Sequence, residues 1–63
     1  MLSVKIFKTG FSVFFDKMPS GYYCVKLRDR KDDLIDKIMC DDYRMAMEYK
    51  KAFSAIAKNG GKS

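Results

Sequence analysis

Residue 42 decides how the C-terminal half of this chain can fold. On a helical wheel drawn from Asp32 to Lys58, Leu34, Ile35 and Ile38 share a stripe with Met45, Ala46, Tyr49, Ala52, Phe53 and Ile56. Asp42 falls at the centre of that stripe. An unpaired carboxylate buried there costs several kcal/mol, so one unbroken helix is disfavoured. The same carboxylate is a good N-cap, because it accepts from orphan amides and complements the helix dipole. The segment therefore reads as a strand at 34–40, a cap at Asp41 or Asp42, and a helix over about 42–58. Asn59-Gly60-Gly61 supplies the stop, and Lys58 sits at the negative helix end.

The N-terminal half alternates with a period of two. Residues 4–16 read as one extended strand bent at Gly10, with Phe7, Phe11, Val13 and Phe15 on one face and Val4, Ile6, Ser12 and Phe14 on the other. A minority reading makes Lys8–Phe11 a turn between two short strands. Met18-Pro19-Ser20-Gly21 is a type I turn, since Pro presets φ at its second position and Gly suits its fourth. A second strand follows at 22–28, alternating Tyr23, Val25 and Leu27 against Tyr22, Cys24, Lys26 and Arg28. Asp29-Arg30-Lys31-Asp32-Asp33 is a solvated turn.

The predicted fold class is α+β: a three-stranded antiparallel β-meander followed by one C-terminal helix on one sheet face, β-β-β-α. The runner-up is a β-hairpin followed by two helices or one kinked helix. A length of 63 residues allows one small domain, set at 1–59 with a flexible tail at 60–63. The chain has two cysteines, Cys24 and Cys40, and no His. Zinc takes four Cys, His or carboxylate ligands, so no metal site is expected. A disulfide is geometrically open, but reduced thiols in a cytoplasmic protein are the reading adopted. The N-terminus has no apolar signal region, and the longest uncharged apolar stretch, Phe11–Phe15, is far below the ~20 residues that span a bilayer.

Composition argues against an enzyme. Without His there is no ready general base near neutral pH, and neither cysteine has an evident activating partner. Asp32/Asp33 and Asp41/Asp42 read as turn and cap residues. No Gly-rich phosphate loop is present, so no catalytic residue and no cofactor are assigned. The net charge of +5 is distributed in blocks: residues 1–31 are basic, 32–48 acidic and 49–63 basic. An acidic middle weakens the case for nucleic acid that a uniformly basic chain would make.

Two candidate binding surfaces remain. If the helix covers the face of Phe11, Val13, Phe15, Tyr23, Val25 and Leu27, the other face shows Phe14, Tyr22, Lys26 and Arg28, with Ile6 near. Rings interleaved with cations suit a protein contact through buried anchors, or single-stranded nucleic acid through stacking and phosphate contacts. The second surface is the outer helix face, where Arg44, Lys51 and Lys58 recur every seven residues with Met47 and Ser54 beside them. A protein partner is favoured over nucleic acid, no membrane contact is expected, and a homodimer through the uncovered face or a sheet edge is open.

The meander-plus-helix size and the helix pattern Asp-Asp-Tyr-Arg-x-Ala-x-x-Tyr-x-x-Ala-Phe at 41–53 resemble small accessory proteins of phages and prophages. That resemblance implies a protein that binds host machinery or nucleic acid without catalysis. It carries no functional residue across. The resulting expectation is a non-enzymatic interaction protein using Phe14, Tyr22, Lys26 and Arg28, supported by Arg44, Met47 and Lys51. The alternative is a nucleic-acid-binding domain using the same residues.

Overall fold

The computed structural model describes residues 2–61. Four strands, β1 (Leu2–Ile6), β2 (Ser12–Lys17), β3 (Tyr23–Arg28) and β4 (Leu34–Cys40), precede one helix, α1 (Tyr43–Lys58). The strands form one antiparallel sheet in chain order. The fold is thus α+β with an antiparallel sheet and a C-terminal helix, with four strands where three were expected. Residues 4–16 are a hairpin and not one strand bent at Gly10. The assignment of faces survives this correction, because Val4 pairs with Phe14 and Ile6 with Ser12.

All three hairpins close by the same device. The amide of the fourth turn residue donates to the carbonyl of the first: Gly10 to Phe7 at 2.9 Å, Gly21 to Met18 at 2.9 Å, and Asp32 to Asp29 at 2.9 Å. The amide of the first then donates to the carbonyl of the fifth: Phe7 to Phe11, Met18 to Tyr22, and Asp29 to Asp33. This is a type I turn followed by a left-handed residue, a common three-residue hairpin loop. The fourth position has positive φ in each, +92° at Gly10, +95° at Gly21 and +67° at Asp32. Aspartate is among the few side chains that tolerate that region. The Asp29 carboxylate stiffens the third turn by accepting from the amides of Lys31 and Asp33 at 2.8 and 3.0 Å.

The helix packs over β2, β3 and β4 and not over β1. Its core comprises Val13, Phe15, Val25, Leu27 and Cys40 from the sheet and Ala46, Phe53 and Ala57 from the helix. Asp42 is the N-cap, its carboxylate accepting from the Arg44 amide at 3.0 Å. At the other end, the Gly61 amide donates to the Ile56 carbonyl and the Gly60 amide to the Ala57 carbonyl, a Schellman stop. Gly60 and Gly61 are therefore fixed to the helix end, while Lys62 and Ser63 of the expected tail lie outside the described residues.

The helix is turned about its axis relative to the stripe read from sequence. Met45, Tyr49 and Ala52 are exposed, whereas Met47, Lys50 and Ser54 are half-buried. Three contacts fix this rotation. The Tyr43 ring packs on Phe15 and Tyr23, the Lys50 ammonium lies 5.5 Å from the Phe15 ring centroid, and the Thr9 hydroxyl donates to the Ala57 carbonyl at 2.6 Å. Lys50 lies outside the apolar stripe read from sequence, and Ser54 reads on the outer helix face. Here the Lys50 stem lies along an aromatic face, and the Ser54 hydroxyl donates to the Lys50 carbonyl.

Cys24 and Cys40 are buried and free. Cys24 pairs with Met39, and Cys40 pairs with Tyr23. Their side chains therefore leave neighbouring strands on opposite faces, and a bridge between them is excluded. Among the described residues, no helix is long and apolar enough to cross a membrane.

Candidate interaction surface

Strand pairing sorts the side chains into two faces. The face away from the helix is built of cross-strand rows. One row reads Val4, Phe14, Lys26, Lys37, and a second reads Ile6, Ser12, Arg28, Leu34. A third continues from Asp16 through Cys24 to Met39. An irregularity between Leu27 and Arg28 on β3 shifts the β4 register, so Asp36 opposes Leu27 and Leu34 opposes Arg28, leaving Ile35 as the extra residue of a bulge.

Exposure on this face is apolar at its margins. Ile6 is 74% exposed and Val4 53%, with Leu34 and Met39 also about half exposed at 50% and 51%. Cations occupy the β3–β4 side. The Lys26 ammonium stands 5.0 Å from the Phe14 ring centroid, a cation–π contact across the strand pair. The Arg28 guanidinium donates to the Asp32 carbonyl at 3.2 Å. Lys26 and Lys37 are directly opposed in a non-hydrogen-bonded pair, since β3 bonds to β4 through Val25 and its alternates. Like charges so placed destabilise a sheet. An anionic group laid on the face would relieve that repulsion.

The structure brings together Phe14, Lys26 and Arg28, as expected. Tyr22 stands at their rim, 46% exposed, in the turn before β3 and outside the strand. It does not bring Arg44 and Lys51 to this surface. Both are exposed on the helix, on the opposite side of the sheet. Met47 is corrected outright: it packs against the core and is not on the outer helix face. Leu34, Lys37 and Met39 are not placed on this face by the sequence, whereas Val4 is placed on it but not named among the contact residues. The signal for the β4 residues was its alternation once the bulge is placed.

Two hollows flank the Thr9 turn. One, of about 610 Å³, lies between the turns near Gly60 and is lined by Thr9, Phe11, Asp29, Arg30, Lys31 and Asp33. The other, of about 560 Å³, is lined by Lys5, Ile6, Phe7, Lys8, Thr9 and Lys58. Neither contains any residue of the open-face cluster of Phe14, Lys26 and Arg28. No family model, curated protein or solved structure matches this chain.

Proposed function

We propose that the protein is a non-catalytic interaction module whose open sheet face docks on a protein partner presenting apolar and acidic groups. The observation that carries this reading is the face itself: exposed Leu34 and Met39 beside the opposed pair Lys26 and Lys37. Aliphatic side chains give buried contact area, and the cations steer and orient an acidic surface. The resemblance to phage accessory proteins makes a host protein the partner class to seek first. Nucleic acid is favoured less. Bases stack on rings, and the one ring in the described rows, Phe14, is already capped by Lys26.

The test compares the native chain with Lys37→Glu/Met39→Glu in capture from nuclease-treated host lysate. Both positions are exposed, so the variant should melt like the native protein. One protein retained by the native chain and lost from the variant is the expected result. Equal retention by both, or recovery of nucleic acid alone from untreated lysate, would overturn the reading.

A further inference from the structure

We infer that β1 is a pairing edge for a second copy of this chain, joined antiparallel about a two-fold axis at Val4. The argument begins with where the backbone groups of β1 point. The Phe7 amide donates to the Phe11 carbonyl, which fixes the phase of the β1–β2 ladder. Hydrogen-bonding pairs alternate along an antiparallel ladder. Phe7, Lys5 and Ser3 therefore bond inward to β2, and the N–H and C=O groups of Ile6, Val4 and Leu2 point outward from the sheet. The β2–β3 ladder confirms the phase: the Met18 amide bonds Tyr22, so β2 uses Asp16, Phe14 and Ser12 toward β3 and Phe15 and Val13 toward β1.

The β1 edge is short and carries a lysine, but it has fewer of the devices that natural sheets use against edge pairing than the opposite edge. It holds no proline and no bulge, and its one charge is Lys5. The helix does not cover it. The opposite edge is protected, since β4 carries a bulge at Ile35 and the charged pair Asp36 and Lys37.

Charge then selects the register. Outward-pointing groups must face outward-pointing groups, which leaves two-fold registers centred on Ser3, Val4 or Lys5. Centring on Lys5 sets two ammonium groups directly opposite in a close, non-hydrogen-bonded pair. Centring on Ser3 leaves Ile6, the most exposed of the large apolar residues, without a partner. Centring on Val4 sets Val4 against Val4 of the second copy, Lys5 against its Ser3, and Ile6 against its residue 2. The two Val4 residues exchange both backbone hydrogen bonds, the Val4 pair falls on the open face, and no like charges meet.

Sedimentation equilibrium of the native chain from about 10 μM to about 1 mM tests this, a range suited to a contact smaller than a standard interface. A concentration-dependent dimer is expected. Val4→Pro should weaken dimerisation at least about tenfold, by removing the two central donors, while leaving the melting transition in place because that amide serves no bond to β2. Should Val4→Pro fail to fold, Val4→Lys decides instead: it brings two cations together at the axis and should give a folded monomer. A native chain that stays monomeric throughout the range, or folded variants that dimerise as the native chain does, overturn the inference.

Discussion

The three like-built hairpin turns allow one energetic term to be isolated. Gly10 and Gly21 occupy the same turn position at nearly the same φ, +92° and +95°. An L-residue in such left-handed geometry costs roughly 1–2 kcal/mol. Around Gly21 there is open space, and an added methyl would meet no atom within 4 Å. Around Gly10 the methyl would fall 2.6 Å from the Arg30 Cβ and 3.3 Å from its Cα. That neighbour is stiff, because it belongs to the turn held by the Asp29 carboxylate. Gly21→Ala should therefore show the conformational cost alone, about 1–2 kcal/mol. Gly10→Ala should add an overpacking term of about 1–3 kcal/mol.

Urea unfolding followed by circular dichroism measures both. With a slope near 1 kcal/mol/M, the Gly10→Ala midpoint should lie about 1–3 M below that of Gly21→Ala, provided the variant still folds. Arg30→Gly removes the obstructing carbon. In the double variant Gly10→Ala/Arg30→Gly, most of the extra cost should disappear, since the 2.6 Å contact is removed and only the 3.3 Å approach to the residue 30 Cα remains. The coupling energy then reports most of the overpacking term. Equal destabilisation by Gly10→Ala and Gly21→Ala, or strict additivity with Arg30→Gly, would refute the close approach of the first and third turns.

Two other perturbations probe the framework. Asp32 holds the same left-handed position without being glycine, so Asp32→Gly should raise stability by about 0.5–1 kcal/mol in the same urea assay; a loss of that size would show that the Asp32 side chain contributes something the turn geometry does not require. Phe53, 4% exposed, is the largest helix side chain in the core, and Phe53→Ala should cost about 3–5 kcal/mol, most of what a chain this small possesses. Calorimetry should then show no cooperative transition near the native one, and its retention would contradict the placement of Phe53 in the core.

Much of the C-terminal half was legible because one polar residue had a single comfortable place. Asp42 could cap a helix or be buried in it, and capping is where it is found, with β4 ending at Cys40 and the helix starting at Tyr43. The fourth strand was harder to see. The sequence alternates apolar and polar residues on both sides of Gly10 in phase, so a straight strand and a hairpin assign the same faces. What separates them is spacing. Turns begin at Phe7, Met18 and Asp29, each eleven residues after the last, with Gly10, Gly21 and Asp32 at equivalent places. Asp32 hides that period, because it does a glycine's work with a side chain. The helix rotation was illegible for a different reason. Polarity patterns count Lys50 and Ser54 as surface, yet a long stem on a ring and a hydroxyl bonded to its own helix are both compatible with partial burial. Met47 was displaced from the core side by that same count.

The two proposed contacts divide one face between them. A helix is about 10–12 Å across, and neighbouring strands are about 4.8 Å apart, so a single helix can cover only part of a four-stranded sheet. Here it leaves β1 uncovered on one side, and no element of the described residues packs on the opposite face. The sequence treats the bare strands differently. On β1 the open-face residues at 4 and 6 are aliphatic, and its outward backbone groups are unprotected. On β3 and β4 the same face carries Lys26, Arg28 and Lys37. An aliphatic edge with free ladder groups suits an identical edge, whereas a cationic field beside Leu34 and Met39 suits a different, acidic surface. If both contacts exist, pairing at β1 would set two docking faces side by side in one extended sheet. A bivalent partner would then bind more tightly than the single-face affinity allows. Val4→Pro should remove that gain and leave the single-face affinity intact, while Lys37→Glu/Met39→Glu should remove partner binding and leave the dimer intact. Loss of both by either variant would mean that β1 and β4 serve one continuous contact.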